Sequence, residues 1–164
     1  MKFTAAVITV SDKGYLGLRE DTSGPNLCAI LSDYGYDIVY RAIVPDEFGQ
    51  ITKELIHCTD HLSVSLVLTT GGTGFSPRDI TPEATLEVIT RQVPGIPELM
   101  RACSMKITDR ASLSRAVSGI RNRTLIINLP GSKKAAEENL FAVLEPVYHG
   151  LEILISEGSA DCAR

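Results

Sequence analysis

Compact runs of branched apolar residues punctuate the chain at Ala5–Val10, Asp37–Val44, Ser65–Thr70 and Thr124–Leu129. Runs of this length and composition, bounded by turn residues, predict buried strands. Helix signals lie between them. Ser23-Gly24-Pro25 opens a helix to about Asp33 that Gly35 closes, and a second runs from Phe48 to about His61 after Pro45-Asp46-Glu47. Two more fall near Pro82–Gln92 and Ile96–Ile107, parted by Val93-Pro94-Gly95. A final helix runs from about Lys133 to Ile155, with an interruption or kink expected at Pro146, and Ser156–Arg164 reads as a frayed tail. Ala116–Ile120 and Thr124–Leu129 flank Arg121-Asn122-Arg123 as a hairpin, which makes the sheet mixed. The alternation predicts one α/β domain over residues 1–164, with an ordered core at about 3–155: a three-layer α/β/α sandwich on a mostly parallel central sheet.

In open α/β sheets ligands sit beyond the carboxyl ends of the strands. Here those ends run into polar or glycine residues: Ser11-Asp12, Pro45-Asp46, Gly71-Gly72-Thr73-Gly74, and Asn128-Leu129-Pro130-Gly131-Ser132. If the strands are parallel, these loops share one edge. The densest stretch is Thr69–Thr85, TTGGTGFSPRDITPEAT. Glycines leaving a strand let a ligand approach main-chain N–H groups, and Thr81-Pro82-Glu83 then starts a helix with Thr81 as N-cap. Arg78 can fork onto a phosphate or carboxylate, and Asp79 can hold Mg²⁺ or orient a hydroxyl. The helix start at Ser132-Lys133 is a second candidate anion site. With Asp12 and Asp46 on the same edge, carboxylates beside phosphate-binding amides suit Mg²⁺-assisted phosphoryl or nucleotidyl transfer. Blander readings stay open: a plain tight turn at GGTG, an ordinary turn aspartate at Asp46, and a surface ion pair at Arg78-Asp79. No G-x-x-x-x-G-K-[ST] occurs, and Gly72–Pro77 fails G-x-G-x-x-G at its last position, which argues against a Walker-type NTPase and a simple dinucleotide-binding dehydrogenase.

Composition narrows the partners. At 164 residues with a net charge of −4, pI ≈ 5.4, and scattered basic residues, the chain is no match for a nucleic-acid backbone. Cys28, Cys58, Cys103 and Cys162 are too far apart for a paired motif and read as isolated thiols of a reducing cytosol. The start lacks a signal-peptide pattern, and no stretch is long enough to span a membrane, so a soluble cytoplasmic protein is expected. His57 and His61 lie four apart but lack a glutamate beside His57; they read as exposed or internally satisfied, and His149 shows no partner. Lys133 and Lys134 read as a solvated helix start.

Four motifs in order carry a family resemblance: VPDE at Val44–Glu47, the glycine stretch with GFSPRD, LSRAVSGI at Leu113–Ile120, and LIINLPGS at Leu125–Ser132. Together they resemble the molybdopterin adenylyltransferases of molybdenum cofactor biosynthesis over about Phe3–Ile155, both the MogA-like bacterial enzymes of the MoaB/MogA family and the G domains of gephyrin-type fusion proteins. The resemblance implies a homotrimer of the predicted fold and Mg²⁺-dependent transfer of adenylyl from ATP to molybdopterin. The essential aspartates it implies are Asp46 and Asp79, as catalytic and metal-holding residues. It places Ser11, Asp12, Gly71, Gly72, Thr73, Gly74, Asn128, Pro130 and Gly131 on the nucleotide, with Arg78 and Ser132 beside them and Ser114 and Arg115 near the pterin. A separate molybdenum-insertion protein would act downstream. Rival readings are a MoaB-like homologue with weak or no transferase activity, a non-enzymatic cofactor-binding scaffold, and a molybdenum-insertion or nucleotide-salvage protein.

Overall fold

The computed structural model describes residues 2–156; the remainder of the expected frayed tail, 157–164, lies outside the described residues. Six strands form one sheet: β1 (Thr4–Val10), β2 (Asp37–Val44), β3 (Leu66–Thr70), β4 (Arg91–Gln92), β5 (Ser118–Arg121) and β6 (Thr124–Leu129), in the order β2-β1-β3-β6-β5-β4. The first three and β6 run parallel, while β5 and β4 pair antiparallel at one edge. The helices are α1 (Asp12–Tyr15), α2 (Ser23–Asp33), α3 (Phe48–Ile56), α4 (Thr81–Val88), α5 (Gly95–Ser104) and α6 (Lys133–Ile155).

Strand alternation divides the central residues between two cores. Ala5 and Val7 of β1, Leu66 and Leu68 of β3, and Leu125 and Ile127 of β6 pack with Leu27, Leu31, Met100, Leu140, Val143 and Leu151 under α2, α5 and α6. Ala6, Ile8, Val67 and Ile126 face the other way, against Ile51 and Leu55 of α3 and Ala84 and Val88 of α4. Successive strand side chains point to opposite faces, so the middle stretches of these strands are apolar on both sides, with the polar Thr69, Thr70 and Asn128 kept to their carboxyl ends, and the expected three layers follow. Each fully buried Val, Leu, Ile or Met in the two cores contributes roughly 1.5–3 kcal/mol.

Several boundaries differ from the sequence reading. The helix expected to reach His61 ends at Ile56 and continues as a π-helical turn over His57–His61, where Thr59 bonds back to the Leu55 carbonyl at 3.0 Å. The wider turn buries the neighbours Cys58 and Thr59 together. His57 stands edge-on to Tyr40 and near the His61 ring, and His149 reaches Glu152 at 3.5 Å, a partner the sequence reading missed. The helix expected to reach Gln92 stops at Val88, because Arg91–Gln92 pair with β5. A short 3-10 turn over Asp109–Leu113 follows the shortened α5. α6 runs unbroken through Pro146, which lies on its exposed side. No helix of the described residues is long and apolar enough to cross a membrane.

The chain steps from β1 to β2 on one side and then to β3 on the other, so the order reverses between β1 and β3. A crevice opens at such a switch point, beyond the strand ends.

Candidate functional site

Backbone conformation sets the glycine loop. Gly71 (φ +106°) and Gly72 (φ +67°) both adopt the left-handed half of backbone space. The Gly71 N–H donates to the Leu129 carbonyl at 3.1 Å, which ties the end of β3 to the end of β6. Thr70 adds a second tie, its hydroxyl donating to the Pro130 carbonyl at 2.7 Å. Thr81 is buried inside α4's first turn, where its hydroxyl donates to the Gly71 carbonyl at 2.9 Å. It therefore anchors the loop instead of capping the helix, and Ile80 holds the cap position. Among the described residues no protein acceptor takes the Gly72 or Thr73 N–H, so two donors at the strand end are free for an anion.

Two carboxylates flank these donors. Asp46 and Asp12 interlock: the Asp12 N–H donates to Asp46 Oδ2 at 2.9 Å, and the Asp46 N–H donates to Asp12 Oδ1 at 3.0 Å. Asp46 keeps Oδ1 without a protein partner, near enough to Gly72 that a Cβ there would lie 3.1 Å from it. Burial raises its pKa above the usual carboxylate value, and the charges of Asp12 and Asp79 add to that rise. Asp79 Oδ2 accepts the Gly74 and Ser76 N–H groups, each at 3.1 Å, which closes the GGTGFSPRD loop on itself and leaves Oδ1 unpaired.

The arginines predicted to touch substrate serve as struts. Arg78 forks onto Asp12 at 3.0 and 2.9 Å and reaches Glu47 at 2.9 Å. The fork lowers the Asp12 pKa. Asp12 and Arg78 are spent on each other, and together they fix Asp46. Arg115 donates to the Gly74 carbonyl at 2.7 Å and the Asp79 carbonyl at 2.6 Å, and pairs with Glu83. Its own N–H donates to the Thr73 carbonyl, so it grips the glycine loop from behind. Arg115→Lys keeps the charge and loses the fork. It is expected to lower stability by roughly 1–3 kcal/mol in thermal unfolding and to speed proteolytic nicking of the loop.

Asn128 also corrects its expected role. It is fully buried, its amide donates to Thr69 and Thr85, both at 2.9 Å, and its carbonyl accepts the Val117 N–H at 3.2 Å. Its side chain is spent inside the protein, where it locks β6 to α4. Ser11 and Ser132 stay at the site, though each hydroxyl oxygen also caps a helix start, through Gly14 and Ala135.

The space beyond the strand ends forms two adjoining cavities. One, of about 430 Å³, is lined by Ser11, Asp46, Gly71 and Ser132, and by Arg19 and Asp21, which the sequence reading did not single out. Asp21 is fixed by the Thr9 hydroxyl at 2.8 Å and the Gly24 N–H at 2.9 Å. The other, of about 480 Å³, is lined by Thr73, Gly74, Ser114 and Pro130, with Arg101, Thr108 and Arg110 also unanticipated. Gly72, Asp79 and Gly131 line both, so they form the shared rim.

Both carboxylates present hard oxygen atoms, and no third His, Cys, Asp or Glu among the described residues joins them in a metal cluster. Such a pair fits Mg²⁺, which takes one or two carboxylates and fills its remaining positions with substrate phosphate and water. A divalent cation would offset the burial of the Asp46 charge and relieve its repulsion by Asp12 and Asp79.

The family model for probable molybdopterin-binding domains matches residues 6–149. A molybdopterin adenylyltransferase of Helicobacter pylori is 44% identical over 151 residues, covering 91% of this chain and 86% of that protein. Gephyrin of Dictyostelium discoideum is 41% identical over 95% of this chain, which spans 23% of gephyrin's length. Among solved structures, the molybdopterin biosynthesis enzyme MoaB of Thermus thermophilus aligns with a TM-score of 0.90 at 45% identity, covering 94% of this chain and 98% of that one.

Proposed function

The chain belongs to the family of probable molybdopterin-binding domains, and from that membership we propose that it transfers the adenylyl group of ATP to molybdopterin and releases pyrophosphate. The observation that carries this reading is the pair of cavities meeting at one rim, where Asp79 and Gly72, whose N–H has no protein acceptor among the described residues, line both. A reaction that joins two substrates through their phosphates needs such a junction.

The cavity of Ser11, Asp46, Gly71 and Ser132 takes the nucleotide, and the cavity of Ser114 takes the pterin. The Gly72 and Thr73 N–H groups hold phosphate oxygens at the rim. Asp46 and Asp79 would hold Mg²⁺, which when bound neutralises phosphate charge. A terminal phosphate oxygen of molybdopterin then bonds to the α-phosphorus of ATP as the Pα–O–Pβ bond breaks, and pyrophosphate leaves. A phosphate monoester already ionised near neutrality needs no general base. The protein's part is therefore placement and charge, typical of phosphoryl transfer.

The test is pyrophosphate release from ATP by the purified protein. It should require both Mg²⁺ and molybdopterin; release that ignores molybdopterin would overturn the reading. The raised Asp46 pKa gives a second expectation. Only ionised Asp46 can hold a cation, so kcat/KM at low Mg²⁺ should fall on the acid side with a midpoint above the ordinary aspartate value. Saturating Mg²⁺ competes with the proton and should shift that midpoint down. An acid limb indifferent to Mg²⁺ would remove Asp46 from the metal. The 45% identity to a molybdopterin biosynthesis enzyme named MoaB keeps a second reading in play, a MoaB-like homologue with weak or no transferase activity, and the same assay separates the two.

The homotrimeric assembly and the downstream insertion protein are part of the same proposal. Sedimentation at micromolar concentration checks the first.

A further inference from the structure

The cavity beside Ser114 is roofed by the 3-10 turn Asp109–Leu113, and this turn is rigidly tied to the glycine loop. The Thr108 hydroxyl caps it by accepting the Arg110 N–H at 3.3 Å, and the Ser112 hydroxyl donates to the Asp109 carbonyl at 2.7 Å. The Ser114 N–H returns to the Ala111 carbonyl, and the next residue, Arg115, grips the Thr73, Gly74 and Asp79 carbonyls. From α5, Arg101 donates to the Ser114 and Ala116 carbonyls at 3.3 and 3.1 Å. Roof and rim are one hydrogen-bonded unit.

Four charged side chains line this cavity: Asp79, Arg101, Arg110 and Glu138. Asp79 accepts two loop amides, Arg101 is committed to the carbonyls beneath the roof, and Glu138 lies 3.8 Å from Lys134. Arg110 is exposed, and among the described residues its guanidinium has no hydrogen-bond or ion-pair partner. By contrast Arg78, Arg115 and Arg121 are all bound to carboxylates. A guanidinium with five unspent donors, held on a fixed turn over a substrate cavity, is a receptor for an anion.

We propose that Arg110 is a specificity residue that binds an anionic substituent of the pterin substrate, its phosphate or its pair of thiolates, in the cavity under the 3-10 turn. This rests on the adenylyl-transfer reading of the site. The chemistry calls for such a cation: a phosphorylated dithiolate must approach a polyphosphate, and the neighbouring carboxylates Asp79 and Glu138 repel it. Arg110 offsets that repulsion on the pterin side and is absent from the lining of the nucleotide-side cavity.

The test compares wild type, Arg110→Ala and Arg110→Lys by equilibrium binding of molybdopterin, of an oxidised pterin phosphate that lacks the thiolates, and of ATP with Mg²⁺. Arg110→Ala should bind molybdopterin at least tenfold more weakly and raise its KM by a similar factor. ATP affinity, kcat at saturation and the unfolding temperature should stay unchanged, and Arg110→Lys should recover part of the loss. Weakening of both pterins identifies the phosphate as the contact, and weakening of molybdopterin alone identifies the thiolates. Wild-type binding that Arg110→Ala leaves intact overturns the proposal alone. A wild type that binds ATP and no molybdopterin overturns the underlying reading with it.

Discussion

Asp46→Asn and Asp79→Asn should each slow adenylyl transfer by roughly 10²–10³-fold, the loss typical of removing one preorganised charge-stabilising contact, without unfolding the protein. Both replacements keep the shape of the carboxylate. The amide that replaces the Asp46 carboxylate still offers a carbonyl oxygen to the Asp12 N–H, and the amide that replaces Asp79 offers one to the Gly74 and Ser76 N–H groups. Each variant loses a negative charge and turns an NH₂ group toward the place of the cation.

Stability separates the two variants. Asp46 has a raised pKa in the folded state, so the folded protein binds a proton there more readily than the unfolded chain does. Its contribution is most favourable below the unfolded carboxylate value and diminishes as pH rises through the folded one. At neutral pH the ionised carboxylate is a burden to the fold, and Asp46→Asn should melt no lower than wild type while losing activity. A variant that lost activity only because it unfolded would contradict this account. The same trade between stability and function recurs where sites hold like charges together.

Gly71→Ala should lower the melting temperature by on the order of 10 °C, from a loss of roughly 3–5 kcal/mol that combines backbone strain with overpacking. At φ +106° an L side chain is strained, and an alanine Cβ would lie 2.2 Å from the Val10 carbonyl oxygen. That oxygen belongs to the last residue of β1, paired to Val44, and cannot yield cheaply. Gly71 cannot yield either, since Leu129 and Thr81 hold its two backbone polar groups. Gly35→Ala is the internal control. It sits at φ +85° with nothing within 4 Å of the added methyl group, so it should show the backbone strain alone. Equal losses at the two positions would disprove the close packing of the glycine loop on β1.

The parallel strands, and the meeting of Asp46 and Asp79 at one cavity beyond their ends, were legible because their signals are local. Unbroken apolar runs such as Leu66–Leu68 and Leu125–Ile127 report burial on both faces, and polar residues at four strand ends report one functional edge. What escaped depends on tertiary geometry. Arg91–Gln92 is a strand only because β5 offers it an edge, and two exposed polar residues carry no period. Asn128 sits in the right motif, yet only the packing of β6 against α4 shows that its amide is consumed inside. Arg78 and Arg115 carried the right charge for a phosphate, and the nearby carboxylates and carbonyls that claim them come from distant parts of the chain. Arg110 gave no signal at all. Its meaning lies in the lack of any partner among the described residues, a property of the folded molecule.

The central claim is that the shared rim joins two substrates, and its most direct test is the mass of the product. Protein incubated with molybdopterin, ATP and Mg²⁺ should yield molybdopterin heavier by one adenylyl group, with an equal amount of pyrophosphate, and Asp46→Asn and Asp79→Asn should yield neither above trace. A folded wild-type protein that binds both substrates and leaves molybdopterin at its original mass would contradict the account.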